Sequence, residues 1–454
     1  MKIRIWKTDN EKRLCEISNS EMEYINTDII EEQGHPGDIE GFLVNIHDDV
    51  EYQTFGGIGG AFTDTSASVW YDMPSVKKKE LIESYFDREK GIGYTVGRFS
   101  IASCDFSTED YTYVEEGDET LESFDISHDK KAVFPMARAA MEYADLALFA
   151  SPWSPPAYMK TTNNRIGGHL KKECYELWAK YFKKYIEAAK ENGIDIWAVT
   201  MQNEPRHHQV WESCLYTPQE EAEFLGFLGK ELEGTGVKIL CYDHCRERVF
   251  ERARFIYESQ NGRYCDGIAN HWYSGDHFGE LKAHMERYPD KISIASEGCC
   301  AITGVGIQPE RDLEFAEIYA HDIIGCFNNG LHYYCDWNML LDDKNGPHHN
   351  REKRPCSADA PVFYIRESNE LHYRLSYYYI GHISKFVKPG AKVVASSSYS
   401  DKVETVAFKN QNGEIVCVML NRTDKEMPAI IRLDGHIEKT SLAPHSILTA
   451  IINR

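Results

Sequence analysis

The chain has 454 residues, of which 42% are hydrophobic and 27% charged, as is usual for a soluble globular protein. This length exceeds that of one ordinary domain and predicts a large domain with a smaller one beside it. The formal net charge of -22 argues against a nucleic-acid partner, because the phosphate backbone would be repelled. No run of about 18 apolar residues occurs, so no transmembrane segment is expected.

The N-terminal stretch and the cysteines predict a cellular compartment. The opening sequence MKIRIWKTDNEKRL lacks the apolar centre of a signal peptide. The 13 cysteines are an odd number and are scattered, which fits reduced thiols better than a disulfide framework. We therefore expect a cytoplasmic protein, or a secreted one if a leader was removed. No oligomeric state is predicted.

Eight short apolar runs read as strands. They are TFGGIGGAFTD (54–64), GYTVGRFSIAS (93–103), ALFASPW (147–153), IWAVTMQNEP (196–205), VKILCYDH (237–244), GIANHWY (267–273), KISIASEG (291–298) and LHYYCDWNM (331–339). Each is followed by a stretch with apolar residues at three- and four-residue spacing, which is typical of amphipathic helices.

This alternation predicts the fold class α/β, with a (β/α)8 TIM barrel as the architecture. An open doubly wound sheet is the alternative, but the first strand is not followed by a phosphate-binding loop. The glycine cluster GGIGG (56–60) instead indicates close backbone packing or a loop at a ligand.

The two ends of the chain predict a smaller all-β domain. Residues from about 385 onward alternate apolar and polar positions between turns, and NQNG (410–413) predicts a hairpin. The first forty residues are also strand-like, so we expect an antiparallel sandwich built from both termini. The predicted domains are 1–45 for the N-terminal sandwich strands, 46–375 for the barrel and 376–454 for the C-terminal sandwich. The segment 341–372 is expected to be a loop on the rim of the barrel at the carboxyl ends of the strands, where the active sites of such barrels lie.

The carboxyl ends of the eight strands supply the candidate site residues. They are Asp64, Arg98, Ser103, Trp153, Asn203, Glu204, Asp243, His271, Tyr273, Glu297 and Trp337. Glu204 on the fourth strand and Glu297 on the seventh are unusual, because glutamate forms strands poorly and is rarely buried without a partner.

Two glutamates facing each other across a barrel mouth predict acid–base chemistry of the kind that glycoside hydrolysis needs. Arg98 and Tyr273 are placed to favour the charged form of Glu297. Glu204, near Trp153 and on the strand of Trp197, is expected in a drier setting that keeps it protonated. An isomerase or aldolase barrel is the alternative, although no lysine stands at a strand end to form a Schiff base.

The motifs resemble those of glycoside hydrolase family 30, most closely its acid β-glucosidase (glucosylceramidase) branch. The resemblance runs from about residue 54 to 450. The stretches that carry it are FGGIGGAFTD, RFSIASCDFS, ASPWSPPAYMKT, WAVTMQNEP, GIANHWY, ASEG, DWNM and GHISKFVKPGAKVVAS. In contrast to the secreted acid β-glucosidase, this chain does not begin with disulfide-forming cysteines.

The resemblance implies roles for particular residues. Glu204 is expected to be the general acid/base and Glu297 the nucleophile of a retaining, double-displacement reaction. Arg98 and Tyr273 are expected to support the nucleophile. The substrate-binding residues implied are Asp64, Trp153, Asn203, Trp337, His271 and Tyr273. The family needs no cofactor and no metal.

The resemblance leaves the substrate open among carbohydrates and glycoconjugates. A β-glucosidase acting on glucosylceramide-like or other β-glucosyl conjugates is the leading hypothesis. An endo-β-1,6-glucanase, a β-xylosidase or a β-6-deoxyglucosidase is an alternative within the family. A non-catalytic carbohydrate-binding barrel is an alternative of another class, although it would be expected to lack one of the two glutamates.

Overall fold

A computed structural model describes residues 1–25, 42–350 and 356–454 of the chain. Its first four strands are β1 (Lys2–Thr8), β2 (Cys15–Glu21), β3 (Glu23–Tyr24) and β4 (Leu43–Thr54). The strand-like character predicted for the first forty residues is confirmed for β1 to β3, and residues 26–41 lie outside the described residues.

The next strands form a closed barrel of eight parallel strands, as predicted. They are β5 (Gly57–Ala61), β6 (Val96–Ile101), β7 (Ala147–Pro152), β8 (Ile196–Thr200), β9 (Lys238–Cys245), β10 (Gly267–His271), β11 (Ile292–Glu297) and β13 (Tyr333–Asn338). Inside it, apolar side chains from successive strands meet in one cluster that includes Val96, Phe149, Leu240 and Ile294. The barrel interior is therefore a packed core, and only its carboxyl end is free to carry a site.

Glycines allow β5 to lie close to its neighbours. A Cβ atom on Gly59 would stand 1.8 Å from the carbonyl oxygen of Val96, and one on Gly60 would stand 2.4 Å from Met339. The close backbone packing suggested by GGIGG is thus what the barrel requires at this strand.

The described residues form ten α-helices, which alternate with the barrel strands along the chain. They are α1 (Asp64–Asp72), α2 (Ser75–Phe86), α3 (Ser127–Lys131), α4 (Val133–Met141), α5 (Tyr175–Glu191), α6 (Pro218–Glu231), α7 (Val249–Tyr257), α8 (Phe278–Arg287), α9 (Asp312–Asn328) and α10 (Leu375–Ser384). None of the helices in the described part of the chain combines the length and apolarity needed to cross a membrane.

The second domain is a ten-stranded sheet made from both ends of the chain. Its strands run in the order β2-β1-β23-β20-β19-β18-β4-β21-β22-β3. The late strands are β18 (Lys392–Ser398), β19 (Val403–Lys409), β20 (Ile415–Asn421), β21 (Met427–Leu433), β22 (His436–Leu442) and β23 (Ser446–Asn453). The hairpin predicted at NQNG joins β19 to β20. The pairing is antiparallel except between β21 and β4, which are parallel.

Successive side chains of β20 alternate between two cores. Ile415, Cys417 and Met419 lie in the core of the second domain. Val416, Val418 and Leu420 lie in the large core that this sheet shares with the barrel helices. Because both faces of β20 are covered, its sequence is a continuous apolar run.

The two predicted domain boundaries fall within or at the edge of an element of the structure. The boundary at 45/46 falls inside β4, which pairs with β18 as far as Thr54 and so belongs to the ten-stranded sheet. The boundary at 375/376 falls at the start of α10, which packs against α9 of the barrel. β4 thus lies with the ten-stranded sheet, and α10 contacts a helix of the barrel.

Part of the predicted rim loop is ordered into short strands. Within or beside it lie β14 (Leu340–Asp342), β15 (Cys356–Ala358), β16 (Val362–Ile365) and β17 (Glu370–Tyr373). β14, β16 and β17 form one small sheet, and β15 pairs with β12 (Ala301–Thr303), just after the seventh barrel strand. The rim segment is thus fastened to the barrel mouth on two sides.

Candidate active site

The acid/base candidate Glu204 stands on a strained turn beyond a strand that is shorter than predicted. β8 ends at Thr200, and the backbone N–H groups of Asn203 and Glu204 donate to the carbonyls of Pro152 and Asp243, at 2.8 and 2.9 Å. Glu204 has a φ of 47°, which is uncommon for any residue except glycine. Such strain persists only where the surroundings impose it, and it is concentrated at functional sites.

Glu297, the last residue of β11, is held by two donors. Nη1 of Arg98 lies 2.5 Å from its Oε2 atom. The Tyr273 hydroxyl donates to its Oε1 atom at 2.9 Å. Both supporting residues predicted from the sequence therefore contact Glu297 directly and fix the direction in which its carboxylate points.

Arg98 is fully buried and joins several acceptors. Its Nη2 atom donates to Oδ1 of Asn203 at 2.9 Å and to Oδ2 of Asp243 at 3.0 Å. Burial lowers the pKa of Arg98, but the charges of Asp243 and Glu297 outweigh it and raise that pKa above its ordinary value. Arg98 is thus a permanent cation beneath the two catalytic candidates.

His271 lies under both glutamates rather than in the wall of the cavity. Its Nε2 atom lies 3.0 Å from Asp243, and its Nδ1 atom lies 3.5 Å from Oε1 of Glu204 and 4.0 Å from Oε1 of Glu297. Burial lowers its pKa, but the charge of Glu297 and the hydrogen bond with Asp243 raise it to about 9. His271 is therefore an imidazolium at neutral pH, and the substrate-binding role predicted for it becomes one of holding a proton beside the glutamates.

Asp243 keeps that proton on His271. Its carboxylate also accepts from the hydroxyls of Thr200 and Ser296, at 2.6 and 2.5 Å. Burial raises the pKa of Asp243, but the charge of Arg98 and the hydrogen bonds from His271 and Ser296 hold it well below its usual range. Asp243 stood among the strand-end residues of the sequence, yet nothing there distinguished it as the partner of His271.

Glu204 lies among polar groups, which corrects the dry setting expected from Trp153 and Trp197. Gln209 donates through Nε2 to Oε2 of Glu204 at 2.9 Å, and Nδ1 of His207 lies 3.7 Å from the same oxygen. Burial raises the pKa of Glu204, but the nearby imidazoles of His207 and His271 and the charge of His271 hold that pKa well below its usual range. In the free protein Glu204 is therefore ionised.

The two carboxylates are close together. One oxygen of Glu204, one oxygen of Glu297 and a ring nitrogen of His271 all lie within 4.8 Å of one another. In the described part of the chain this is also the one group of three such side chains close enough to hold a metal ion. A metal would require neutral His271 and would stand beside the guanidinium of Arg98, so the donor set suits proton transfer better than metal binding.

A cavity of about 320 Å³ opens above these groups. Its lining includes Trp153, Asn203, Glu204, Tyr273, Glu297 and Trp337, all predicted from the sequence. Trp153 and Trp337 stack on each other with ring centroids 5.2 Å apart, and the guanidinium of Arg98 lies over both rings. The cavity thus joins a flat aromatic wall to the two carboxylates.

Asp64, which was expected to hold the sugar, does not line this cavity. Its carboxylate accepts from the backbone N–H and the hydroxyl of Thr108, at 2.8 and 2.7 Å, and lies 3.1 Å from Nε2 of His128. The aspartate in the cavity wall is Asp105, beside Phe106. Asp105 belongs to the motif SCDFS, which follows the second strand. The prediction took only residues up to the end of each strand, and it ended the second strand at Ser103, so it did not include Asp105.

Several other lining residues were not foreseen. They are His207, Gln209, Trp211, Cys245, Cys299, Ala301 and Ala358. All lie in loops beyond the barrel strands or at the first or last residue of a strand, where spacing along the sequence does not predict which side chain turns inward.

The fold and the site together define a class of protein. The site has two carboxylates within 4.8 Å of each other at the carboxyl end of a (β/α)8 barrel, beside two stacked tryptophans. This arrangement is typical of a glycoside hydrolase. Residues 55–387 match the family model of the glycosyl hydrolase family 30 TIM-barrel domain, and residues 390–450 match that of the family's beta sandwich domain. The chain belongs to glycoside hydrolase family 30.

Known proteins of this family resemble the chain over nearly its whole length. The lysosomal acid glucosylceramidase of Mus musculus is 31% identical over 86% of this chain and 79% of its own. The crystal structure of SrfJ from Salmonella typhimurium is 31% identical with a TM-score of 0.92, covering 100% of both chains. The structure of an endo-β1,6-glucanase is 25% identical with a TM-score of 0.84, covering 99% of both chains.

Proposed function

We propose that the protein is a retaining β-glycosidase that hydrolyses β-glucosides by double displacement. The observation that carries this proposal is the short distance between Glu204 and Glu297, which have carboxylate oxygens within 4.8 Å. Retaining enzymes place their carboxyl groups about 5–5.5 Å apart, whereas inverting enzymes leave room for a water molecule between them.

In the first step Glu297 attacks the anomeric carbon of the sugar. A bond forms between that carbon and a carboxylate oxygen, and the glycosidic carbon–oxygen bond breaks. Arg98 and Tyr273, which donate to Glu297, orient it for this attack. Glu204 gives a proton to the departing oxygen as the bond breaks, so that an alcohol leaves rather than an alkoxide.

The proton for that step is already in the site. His271 carries it at neutral pH, and its Nδ1 atom lies 3.5 Å from Glu204. Transfer from His271 to Glu204 leaves a neutral imidazole held by Asp243 and a carboxylic acid facing the leaving group. In the second step a water molecule attacks the anomeric carbon, Glu204 takes its proton, and the bond to Glu297 breaks.

Asn203 is oriented to contact the sugar. Its Oδ1 atom accepts from Arg98, which leaves the amide N–H groups to donate to a hydroxyl of the substrate. A donor next to the anomeric centre supports the role at the sugar 2-hydroxyl, a contact that strengthens in the transition state.

The β-glucoside specificity is supported by two observations. Two of the three relatives compared above are named a glucosylceramidase and an endo-β1,6-glucanase, and both names refer to glucosyl bonds. The cavity of about 320 Å³ is at the small end of the range for ligand pockets, which suits one sugar unit against the stacked tryptophans.

The test is a panel of aryl β-glycosides, namely β-glucoside, β-xyloside and 6-deoxy-β-glucoside, followed by β-1,6-glucan and glucosylceramide. We expect the aryl β-glucoside to be hydrolysed fastest, with the first product seen by NMR in the β configuration. No turnover of any aryl β-glucoside would overturn the proposal, and an α product would overturn the retaining mechanism.

An endo-β-1,6-glucanase is the second candidate. It is favoured by the likeness to the endo-β1,6-glucanase structure, which extends over 99% of both chains. Release of oligosaccharides from β-1,6-glucan, with poor turnover of the aryl β-glucoside, would select this activity.

A further inference from the structure

The backbone just after Glu297 is held by groups from two other elements. The carbonyl oxygen of Gly298, the residue that follows Glu297, accepts from the backbone N–H of Trp337 at 3.0 Å. The hydroxyl oxygen of Tyr319, on α9, lies 3.3 Å from the same carbonyl oxygen. Because the Gly298 peptide is bonded directly to Glu297, movement of this carbonyl would change the direction of the Glu297 side chain. A side chain that fixes the carbonyl can therefore control the geometry of the attack on the sugar.

Tyr319 also contacts the chain segment that carries a donor to Glu297. Its ring packs on that of Trp272, with ring centroids 4.8 Å apart. Trp272 donates through Nε1 to the carbonyl oxygen of Cys299 at 3.1 Å. The next residue, Tyr273, donates its hydroxyl hydrogen to Glu297. Tyr319 therefore lies where the segment after Glu297 meets the segment that holds the Glu297 carboxylate.

The Tyr319 hydroxyl has two neighbouring oxygens but only one hydrogen. Its Oη atom lies 2.5 Å from Oδ1 of Asp336, on β13, and 3.3 Å from the carbonyl oxygen of Gly298. A phenolic hydroxyl donates once and also accepts, whereas a carbonyl oxygen only accepts. Both contacts can therefore be hydrogen bonds only if Asp336 is a carboxylic acid that supplies the second hydrogen.

The surroundings of Asp336 favour the acid over the carboxylate. Asp336 is 1% exposed, and its Oδ2 atom has no hydrogen-bond partner among the residues that the structure describes. An ionised carboxylate here would lose its water without a full set of donors to replace it. Burial raises the pKa of Asp336 well above its usual range and the charge of Asp359 raises it further, whereas the Tyr319 hydroxyl and the nearby backbone N–H of Trp337 offset this rise only in part.

We propose that Asp336 is a positioning residue for Glu297: as a neutral acid it donates to the hydroxyl of Tyr319, which then donates to the carbonyl of Gly298. The inference rests on the proposed function, because it takes Glu297 as the nucleophile. No proton is transferred along this chain of hydrogen bonds. Its effect is to hold the peptide after Glu297 in one position while the carboxylate forms its bond to the sugar.

The experiment isolates the step in which Glu297 attacks. The probe is 2-deoxy-2-fluoro-β-glucosyl fluoride, in which a bond forms from Glu297 to the anomeric carbon and the carbon–fluorine bond breaks. Fluoride leaves without a proton from Glu204, so the rate constant of inactivation reports on Glu297. Tyr319→Phe and Asp336→Leu remove the donors and should lower this rate constant about 10- to 100-fold, with the concentration for half-maximal rate changed less than about twofold.

Asp336→Asn is the conservative variant that tests for the neutral acid. Its amide is uncharged and can donate through Nδ2 to Tyr319, so the rate constant should stay within about threefold of wild type. Tyr288→Phe removes another tyrosine hydroxyl, which donates to Glu258 on the surface, and should have no effect. Denaturant unfolding of each variant shows that it is folded. Tyr319→Phe and Asp336→Asn keep the shapes of the side chains, so this pair decides even if Asp336→Leu does not fold.

The outcomes separate this inference from the proposed function. If the wild-type protein neither hydrolyses an aryl β-glucoside nor takes up the fluoroglucosyl label on Glu297, the proposed function fails and the inference falls with it. If the wild-type protein is labelled and Tyr319→Phe is labelled at the same rate, the hydroxyl does not position Glu297 and the inference alone is overturned. If Asp336→Asn is as slow as Tyr319→Phe, an ionised carboxylate is required, which also overturns the inference.

Discussion

Gln209 donates a 2.9 Å hydrogen bond to the Oε2 atom of Glu204, the oxygen of this carboxylate that lies opposite His271. The same amide nitrogen lies 2.8 Å from Nδ1 of His207. A cavity-lining loop thus supplies polar partners to the proposed acid/base Glu204 in the free protein. A leaving group that needs the proton of Glu204 has to replace these partners.

The first prediction concerns the pH dependence of activity. His207 is one cause of the low pKa of Glu204, so His207→Ala should raise that pKa. The other charged or titratable groups near Glu204 stay in place: His271, His244, Cys245, Tyr273 and Glu297. Because the first step needs protonated Glu204, the high-pH limb of kcat/KM should move to higher pH. A limb that stays in place would show that His207 does not control this proton, and His208→Ala is the control on the same loop.

The second prediction concerns the nucleophile. Glu297→Gln keeps the size of the side chain but removes the attacking oxygen, so kcat for an aryl β-glucoside should fall by about 1,000-fold or more. Addition of azide to Glu297→Gly should restore turnover and yield an α-glucosyl azide. Glu251→Gln, on the exposed side of α7, is the control for loss of one glutamate. Wild-type turnover by Glu297→Gln would refute the assignment and revive the non-catalytic barrel.

The third prediction concerns the buried guanidinium of Arg98. Arg98→Met leaves Asp243 and Glu297 without their common partner and should lower the free energy of unfolding by about 3–5 kcal/mol. Arg98→Lys keeps the charge, but one ammonium group cannot reach Glu297, Asn203 and Asp243 together. We expect this variant to unfold at a denaturant concentration nearer to wild type while its kcat remains low. Arg287→Lys, at an exposed ion pair, should change neither quantity.

The fourth prediction follows from the pKa of His271, which is about 9 in the folded protein against an ordinary 6.5. A raised pKa stabilises the folded state fully below pH 6.5, and this stabilisation is lost as the pH rises through 9. The stability difference between wild type and His271→Gln should therefore shrink by about 3 kcal/mol between about pH 6 and pH 10. Denaturant unfolding across this range measures it. A difference independent of pH would mean that His271 is neutral.

The fifth prediction separates two aspartates. Asp105 lines the cavity, so Asp105→Asn should lower kcat/KM for an aryl β-glucoside by about 10-fold or more. Asp64 is bound to Thr108 and His128, so Asp64→Asn should mainly lower the temperature of unfolding. The reverse pattern would restore the sequence-based expectation for Asp64.

The barrel and the glutamates could be predicted because each leaves a strong local pattern. The alternation of strand and helix identifies the fold, and a glutamate at a strand end stands out against the residues around it. The N-terminal strands were also foreseen, since they alternate and the late strands need partners. Composition alone could not place the end of the first sandwich segment, because β4 continues through the ten-stranded sheet to Thr54 without a change in composition.

The charge state of Glu204 and the place of Asp105 could not be predicted in the same way. The backbone N–H groups of Asn203 and Glu204 donate to carbonyls of β7 and β9, and these hydrogen bonds set the direction of the Glu204 side chain. That direction decides whether tryptophan or histidine side chains surround the Glu204 carboxylate. Gln209 and His207 reach Glu204 from a loop, whose path no periodicity encodes. Asp105 lies two residues beyond Ser103, past the point at which strand geometry determines where side chains point.

The pairing of β1 with β23 joins Lys2 to Asn453 in one ladder. During synthesis β1 is made before the other described strands, whereas its partner β23 is made after them. β1 therefore cannot pair with β23 until nearly all of the described residues have been made. The barrel strands need only partners made within the same domain. The ten-stranded sheet can therefore close only after β23 has been made. A nascent chain can thus assemble the barrel that carries Glu204 and Glu297 before the ten-stranded sheet has all its strands.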